Sequence, residues 1–147
     1  MSRDQIQGIL ARQQKDEAWY QAVFTESLMC FIEDKDPKSC IERLRPLIDE
    51  GPENLKAHGR LLMGHAYRSM GRQRLAIFNY QAVARRENVD EATIIALAAL
   101  TEIGDASSQK LAQSRIDLLR QQDPAPSYLD LLDGGTSLQS VQEILSE

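Results

Sequence analysis

The sequence predicts an all-α protein of antiparallel helical hairpins stacked side by side, with an N-terminal helix and a short C-terminal helix. Three observations predict it. Between Ala57 and Asp90, apolar residues recur at helical spacing on both sides of Gly71: Met63, Ala66, Tyr67 and Met70 before it, and Leu75, Ala76, Phe78, Tyr80 and Val83 after it. Gly64 and Ala76 are small where two helices of a hairpin press closest, and Gly71 suits the left-handed turn that ends a helix. Helix-start and helix-stop signals then punctuate the rest of the chain: Asp36-Pro37, Gly51-Pro52, Asp90, Gly104 and Asp123-Pro124.

The remaining elements follow in order. Asp4 to Gln14 is a short helical pattern with Ile6, Ile9 and Leu10 on one side. From Ala18 to Glu33 the apolar positions Ala18, Trp19, Ala22, Val23, Phe24, Leu28, Met29, Phe31 and Ile32 make a stripe too wide for a helix with one exposed face, so it packs on two sides. After the Asp36-Pro37 start come Cys40, Ile41, Leu44, Leu47 and Ile48; Pro46 removes a backbone donor there and is expected to kink the helix or end it early. Asp90 caps a helix running to Ile103, and a turn Asp105-Ala106-Ser107-Ser108 leads to a partner helix with Ala112, Ile116 and Leu119. Asp123-Pro124-Ala125-Pro126-Ser127 is a breaker. Beyond it, Thr136-Ser137-Leu138-Gln139 reads as a capping box opening a last helix with Leu138, Val141, Ile144 and Leu145.

The chain has 147 residues, enough for one domain with its own core. No apolar run reaches the roughly 18 residues that cross a bilayer. The N-terminus lacks a signal-peptide core, and Cys30 and Cys40 are the only cysteines. A soluble, cytoplasmic location is therefore expected. The net charge of −5 is unevenly placed. Ala57 to Asp90 holds six basic residues against two acidic, and Gln121 to Glu147 holds five acids with no Lys or Arg. The basic middle lacks interleaved stacking aromatics in an acidic chain, so it reads as a solvated arginine face; nucleic-acid binding is not expected.

The stretch Ala57 to Asp90 resembles a tetratricopeptide repeat, in Gly64, Tyr67, Gly71, Ala76 and Tyr80; Arg60 and Asn88 stand where the repeat usually has Trp and Pro. Two weaker units flank it. Phe24, Phe31, Cys40 and Pro52 take template positions in the first, and Ile94, Leu97, Ala98, Thr101, Ala112, Ile116, Leu119 and Pro124 in the third. The resemblance implies an N-terminal helix over 1–20, repeats over about 21–54, 57–90 and 91–124, and an acidic tail over 125–147. It also implies that the first helix of each pair lines a concave groove. Those positions are Ala22, Thr25, Met29 and Ile32; His58, Leu61, His65 and Arg68; and Ala92, Ile95, Ala99 and Glu102. Of a carboxylate clamp for a peptide end, only Arg68 is present.

Signals for catalysis are nearly absent: the sequence contains no Gly-rich phosphate loop, Cys-x-x-Cys, His-Glu-x-x-His or Gly-x-Ser-x-Gly. His58 and His65 lie two helical turns apart, about 10.5 Å of rise, too far to share one metal. No enzyme activity and no cofactor or metal are expected. The expected function is binding an apolar or amphipathic segment of a partner protein, as an adaptor or chaperone. The layout resembles the tetratricopeptide chaperones of bacterial type III secretion, which implies pairing of two copies through Ile6, Ile9, Leu10 and Trp19. The alternative is a structural subunit of a larger assembly, such as a secretion system, with contacts on its convex faces and tail. The acidic tail, Tyr128 to Leu145, is expected to fold back over the Arg-rich repeats.

Overall fold

The computed structural model describes residues 2–122. Among them are seven α-helices and no strand: α1 (Arg3–Leu10), α2 (Glu17–Ile32), α3 (Pro37–Glu50), α4 (Glu53–Ser69), α5 (Gln73–Ala84), α6 (Glu91–Ile103) and α7 (Ala106–Arg120). The chain divides into two compact units, Met1–Arg72 and Gln73 onward, and the division falls inside the stretch 57–90. The tail helix, its capping box, the closing Pro124 and the folding back of Tyr128 to Leu145 lie outside the described residues.

In the first unit α1 packs on α2, α2 on α3, α3 on α4, and α2 also meets α4. Ser2 and Gln5 form a reciprocal capping box at the start of α1. The N-terminal helix stops at Leu10, so Trp19 belongs to α2 instead. Asp16 caps α2 by accepting from the Trp19 amide at 3.0 Å, so a new helix starts there. The Trp19 indole then donates to the Leu10 carbonyl at 3.2 Å, tying the end of α1 to α2. Ile6 is fully buried, so it and Trp19 are engaged inside the unit.

Pro46 does not end α3, which runs on to Glu50. The carbonyl that loses its donor is that of Glu42, an exposed residue where water can serve, and the fully buried Leu44 and Leu47 hold the helix on both sides of the proline. Where α3 meets α4 the Leu47 and Ile48 side chains close on Gly59. A Cβ there would stand 3.0 Å from Leu47 Cδ2 and 3.1 Å from Ile48 Cδ1. Gly71 ends the unit in the left-handed conformation (φ 75°); Arg72 N–H donates to the Tyr67 carbonyl and Gly71 N–H to the Arg68 carbonyl, the paired bonds of a Schellman motif.

In the second unit α5 packs on α6 and α6 on α7. Every residue from Ala92 to Leu100 is buried, so α6 is the centre of the unit. Two sequence expectations change here. Leu75 and Phe78 are exposed, because α5 turns Ala76, Asn79, Tyr80 and Val83 inward. The turn after Gly104 is also shorter than expected: Asp105 accepts from the Ser108 amide at 2.8 Å and starts α7 at Ala106.

Asp90 fastens the link between α5 and α6. Its carboxylate accepts the Thr93 amide at 3.0 Å and both terminal nitrogens of Arg86 at 3.1 Å. Burial pushes this carboxyl up, but the Arg86 and Thr93 hydrogen bonds outweigh it and hold the group below the usual carboxylate range. A depressed folded-state value adds stability that is present above the unfolded value of roughly 4 and is lost as pH falls through the folded one. Asp90→Ala is expected to cost about 1.5 kcal/mol at pH 7. The difference in thermal midpoint between the two proteins is expected to shrink below pH 4; a pH-independent difference counts against the carboxylate.

Candidate functional site

In the first unit, the predicted groove positions fall on α2 and α4, which meet. Thr25, Met29 and Ile32 are half-exposed, and so is Leu28. Positions 25, 28, 29 and 32 are one stripe of a helix. The other faces of α2 are buried through Trp19, Tyr20, Val23, Phe24, Ser27 and Cys30. This arrangement follows from the wide apolar composition of α2: one part serves α1, one serves α3, and a third is only partly covered.

His58 stands beside this stripe. Its ring meets the Phe24 ring edge-on at 6.4 Å, and Nδ1 lies 2.8 Å from the Asn54 carbonyl. In that contact Nδ1 carries the proton, since a carbonyl only accepts. Leu61 and Ala22 are buried, as is His65, so they offer little surface. Arg68 is half-exposed.

In the second unit Ala92, Ile95 and Ala99 are buried and Glu102 is exposed. All three buried positions belong to the core of α6. What this unit does present is a groove of about 260 Å³ among α5, α6 and α7. Leu97, Leu100, Leu111 and Ala112 line it, with Arg85 and Arg115 at its edge. Gln81 Nε2 donates to Ser108 Oγ at 2.7 Å across it. The Arg115 guanidinium donates to the Ala84 carbonyl and, at 2.9 Å, to the Arg86 carbonyl. It thereby satisfies carbonyls left open at the end of α5 and is held in place. Sequence reasoning missed this groove. The available signal was Leu111, an apolar residue of α7 off the Ala112, Ile116, Leu119 face; it lines the groove and is 66% exposed.

Cys30 and Cys40 are both buried free thiols. Burial pushes Cys40 up to about 12 and raises Cys30 as well, so neither supplies a thiolate at neutral pH. Among the described residues no group of three or more His, Cys, Asp or Glu side chains could hold a metal ion, and no helix is long and apolar enough to cross a membrane. Comparison with family models, with curated proteins and with solved structures gave no match.

Proposed function

We propose that this chain is a protein–protein interaction module, a tetratricopeptide-like adaptor or chaperone, that receives an apolar or amphipathic peptide segment of a partner along the α2–α4 side. One observation carries the reading: Thr25, Leu28, Met29 and Ile32 form one partly accessible stripe of α2, beside faces buried through Trp19, Tyr20, Val23, Phe24, Ser27 and Cys30. An apolar stripe of this width matches the anchors of an amphipathic helix, which recur at the same 3-4-7 spacing. His58, whose ring meets Phe24, adds a polar side chain at its margin, suited to fixing the register of a bound segment.

The layout supports placing the protein among cytoplasmic chaperones of the type III secretion kind. A second reading, a fixed subunit of a larger assembly, is favoured by Leu111 and Leu118, which α7 leaves in water. Purification of the chain alone separates the two: loss of solubility without a partner favours the subunit.

The test of binding is a displayed library of random 16-residue peptides selected on the full chain. Enrichment of amphipathic helical sequences is expected. Met29→Asp combined with Ile32→Asp is expected to weaken the selected peptides at least tenfold, about 1.4 kcal/mol or more, while the far-ultraviolet circular dichroism stays unchanged. Selected peptides indifferent to both substitutions would place binding elsewhere.

A further inference from the structure

Helix α7 buries Ala112, Ile116 and Leu119 and turns a second stripe to solvent. Ser107, Lys110, Leu111, Ser114, Asp117 and Leu118 are all exposed, at the spacing of three and four that shares one side of a helix. Leu111 and Leu118 stand two turns apart on it, 66% and 64% exposed, with the small Ser114 between them. We infer that this stripe is a self-association surface: α7 of one copy lies antiparallel against α7 of a second copy, across a twofold axis at Ser114. The inference does not rest on the peptide-binding reading, since it uses no residue of α2 or α4.

Charge selects both the occupant and its direction. Lys110 and Asp117 flank the leucines on one edge, also two turns apart, and neither has an ion-pair partner among the described residues. Asp117 accepts one exposed hydrogen bond, from Gln113 of its own helix at 3.0 Å. An axis at Ser114 carries position 110 onto position 118 of the second copy, and position 117 onto position 111. Lys110 therefore lies one residue, about 1.5 Å of rise, from level with Asp117 of the second copy. Leu111 lies equally close to level with Leu118 of the second copy. Each pairing occurs twice, because a twofold contact is complementary to itself. A parallel arrangement would instead set Lys110 against Lys110 and Asp117 against Asp117, which like-charge repulsion disfavours.

The crossing point suits close approach. Ser114 lets the two axes come to about 8 Å, the short end of helix–helix distances, so the leucines reach across. On the other edge Arg115 would meet its own symmetry mate, but its guanidinium is drawn off the stripe by the Ala84 and Arg86 carbonyls. The surface first expected to pair two copies is engaged elsewhere, through buried Ile6 and the Trp19 bond to Leu10. Two helices of 15 residues bury less than the roughly 1,200 Å² of a standard interface, so the dimer is a weak one, with Kd on the order of 100 µM.

Sedimentation velocity of the full chain from about 5 to about 500 µM, at low salt, is expected to show a monomer–dimer equilibrium. Lys110→Asp and Asp117→Lys, each alone, are expected to weaken it about tenfold, because each sets like charges together at two places. Both positions are exposed, so circular dichroism stays unchanged. An equimolar mixture of the two variants is expected to dimerise at least as well as the natural chain, since an acidic edge then faces a basic one. Leu118→Ser is expected to abolish the dimer over the same range. A chain that stays monomeric at the highest concentration would overturn the proposal. So would a dimer indifferent to either charge substitution, a mixture no better than the separate variants, or a dimer that survives Leu118→Ser. None of these results bears on peptide binding at α2.

Discussion

Leu61→Asp and Ile95→Asp are each expected to unfold the unit that carries them. Both positions lie on the predicted groove-lining face, where an aspartate would meet solvent and leave the fold intact. In the structure Leu61 is 1% exposed and Ile95 2% exposed. Neighbours on α4, Leu62 and Ala66, are fully buried, as are Ile94 and Ala96 on α6. A carboxylate placed there loses its hydration, and the apolar contacts of the original side chain go as well. The combined loss exceeds about 4 kcal/mol, a large part of the total stability of a small domain. Urea titration followed by circular dichroism is the measurement. Retention of a cooperative transition near the wild-type midpoint in either variant would return that residue to the surface and restore the groove as first drawn. The contrast with Met29→Asp and Ile32→Asp, which are expected to leave the fold standing, separates lining from core on the same kind of helix.

Arg43→Ala is expected to destabilise the first unit by about 2–3 kcal/mol, well above the value of an ordinary surface ion pair. The reason is its partner. The Glu26 side chain on α2 is only 10% accessible, and it accepts from Arg43 of α3 and, at 2.8 Å, from the Gln7 amide of α1. One carboxylate therefore joins three helices. Removal of Arg43 leaves that charge buried with a single neutral donor, the costly side of breaking a buried pair. The full cost is reduced because the Arg43 side chain is itself half in water (49%). Glu26→Gln in the Arg43→Ala background removes the stranded charge and is expected to recover part of the loss. A cost below about 0.5 kcal/mol for Arg43→Ala would show water, rather than arginine, to be the effective partner of Glu26.

The local signals were legible because they act over a few residues. Asp36 and Asp90 each accept from an amide three residues on, a geometry fixed by the start of a helix itself. Gly71 takes the one conformation that a β-carbon disfavours. Periodicity failed where composition was uniform. Helices α2 and α6 are apolar around most of their circumference, so spacing alone assigns them no face. At Pro46 the early end did not occur: whether a proline ends a helix depends on what holds the helix on either side, here the fully buried Leu44 and Leu47.

The candidate sites divide in the same way. Thr25, Met29 and Ile32 were named from the repeat resemblance, and the structure places them on one partly accessible stripe of α2. The groove of the second unit was not, because Arg85, Leu97 and Leu111 come from three helices and nothing in their spacing relates them.

The sequence by itself determined that this chain is helical, where most helices begin and end, and which segments are acidic, since caps, breakers and charge are properties of neighbouring residues. Only the tertiary structure decided which apolar side chains go inside, that Glu26 serves three helices, and where a groove is left open. Burial is a relation between residues far apart in the chain, and the side a helix turns inward is set by whichever helices pack against it.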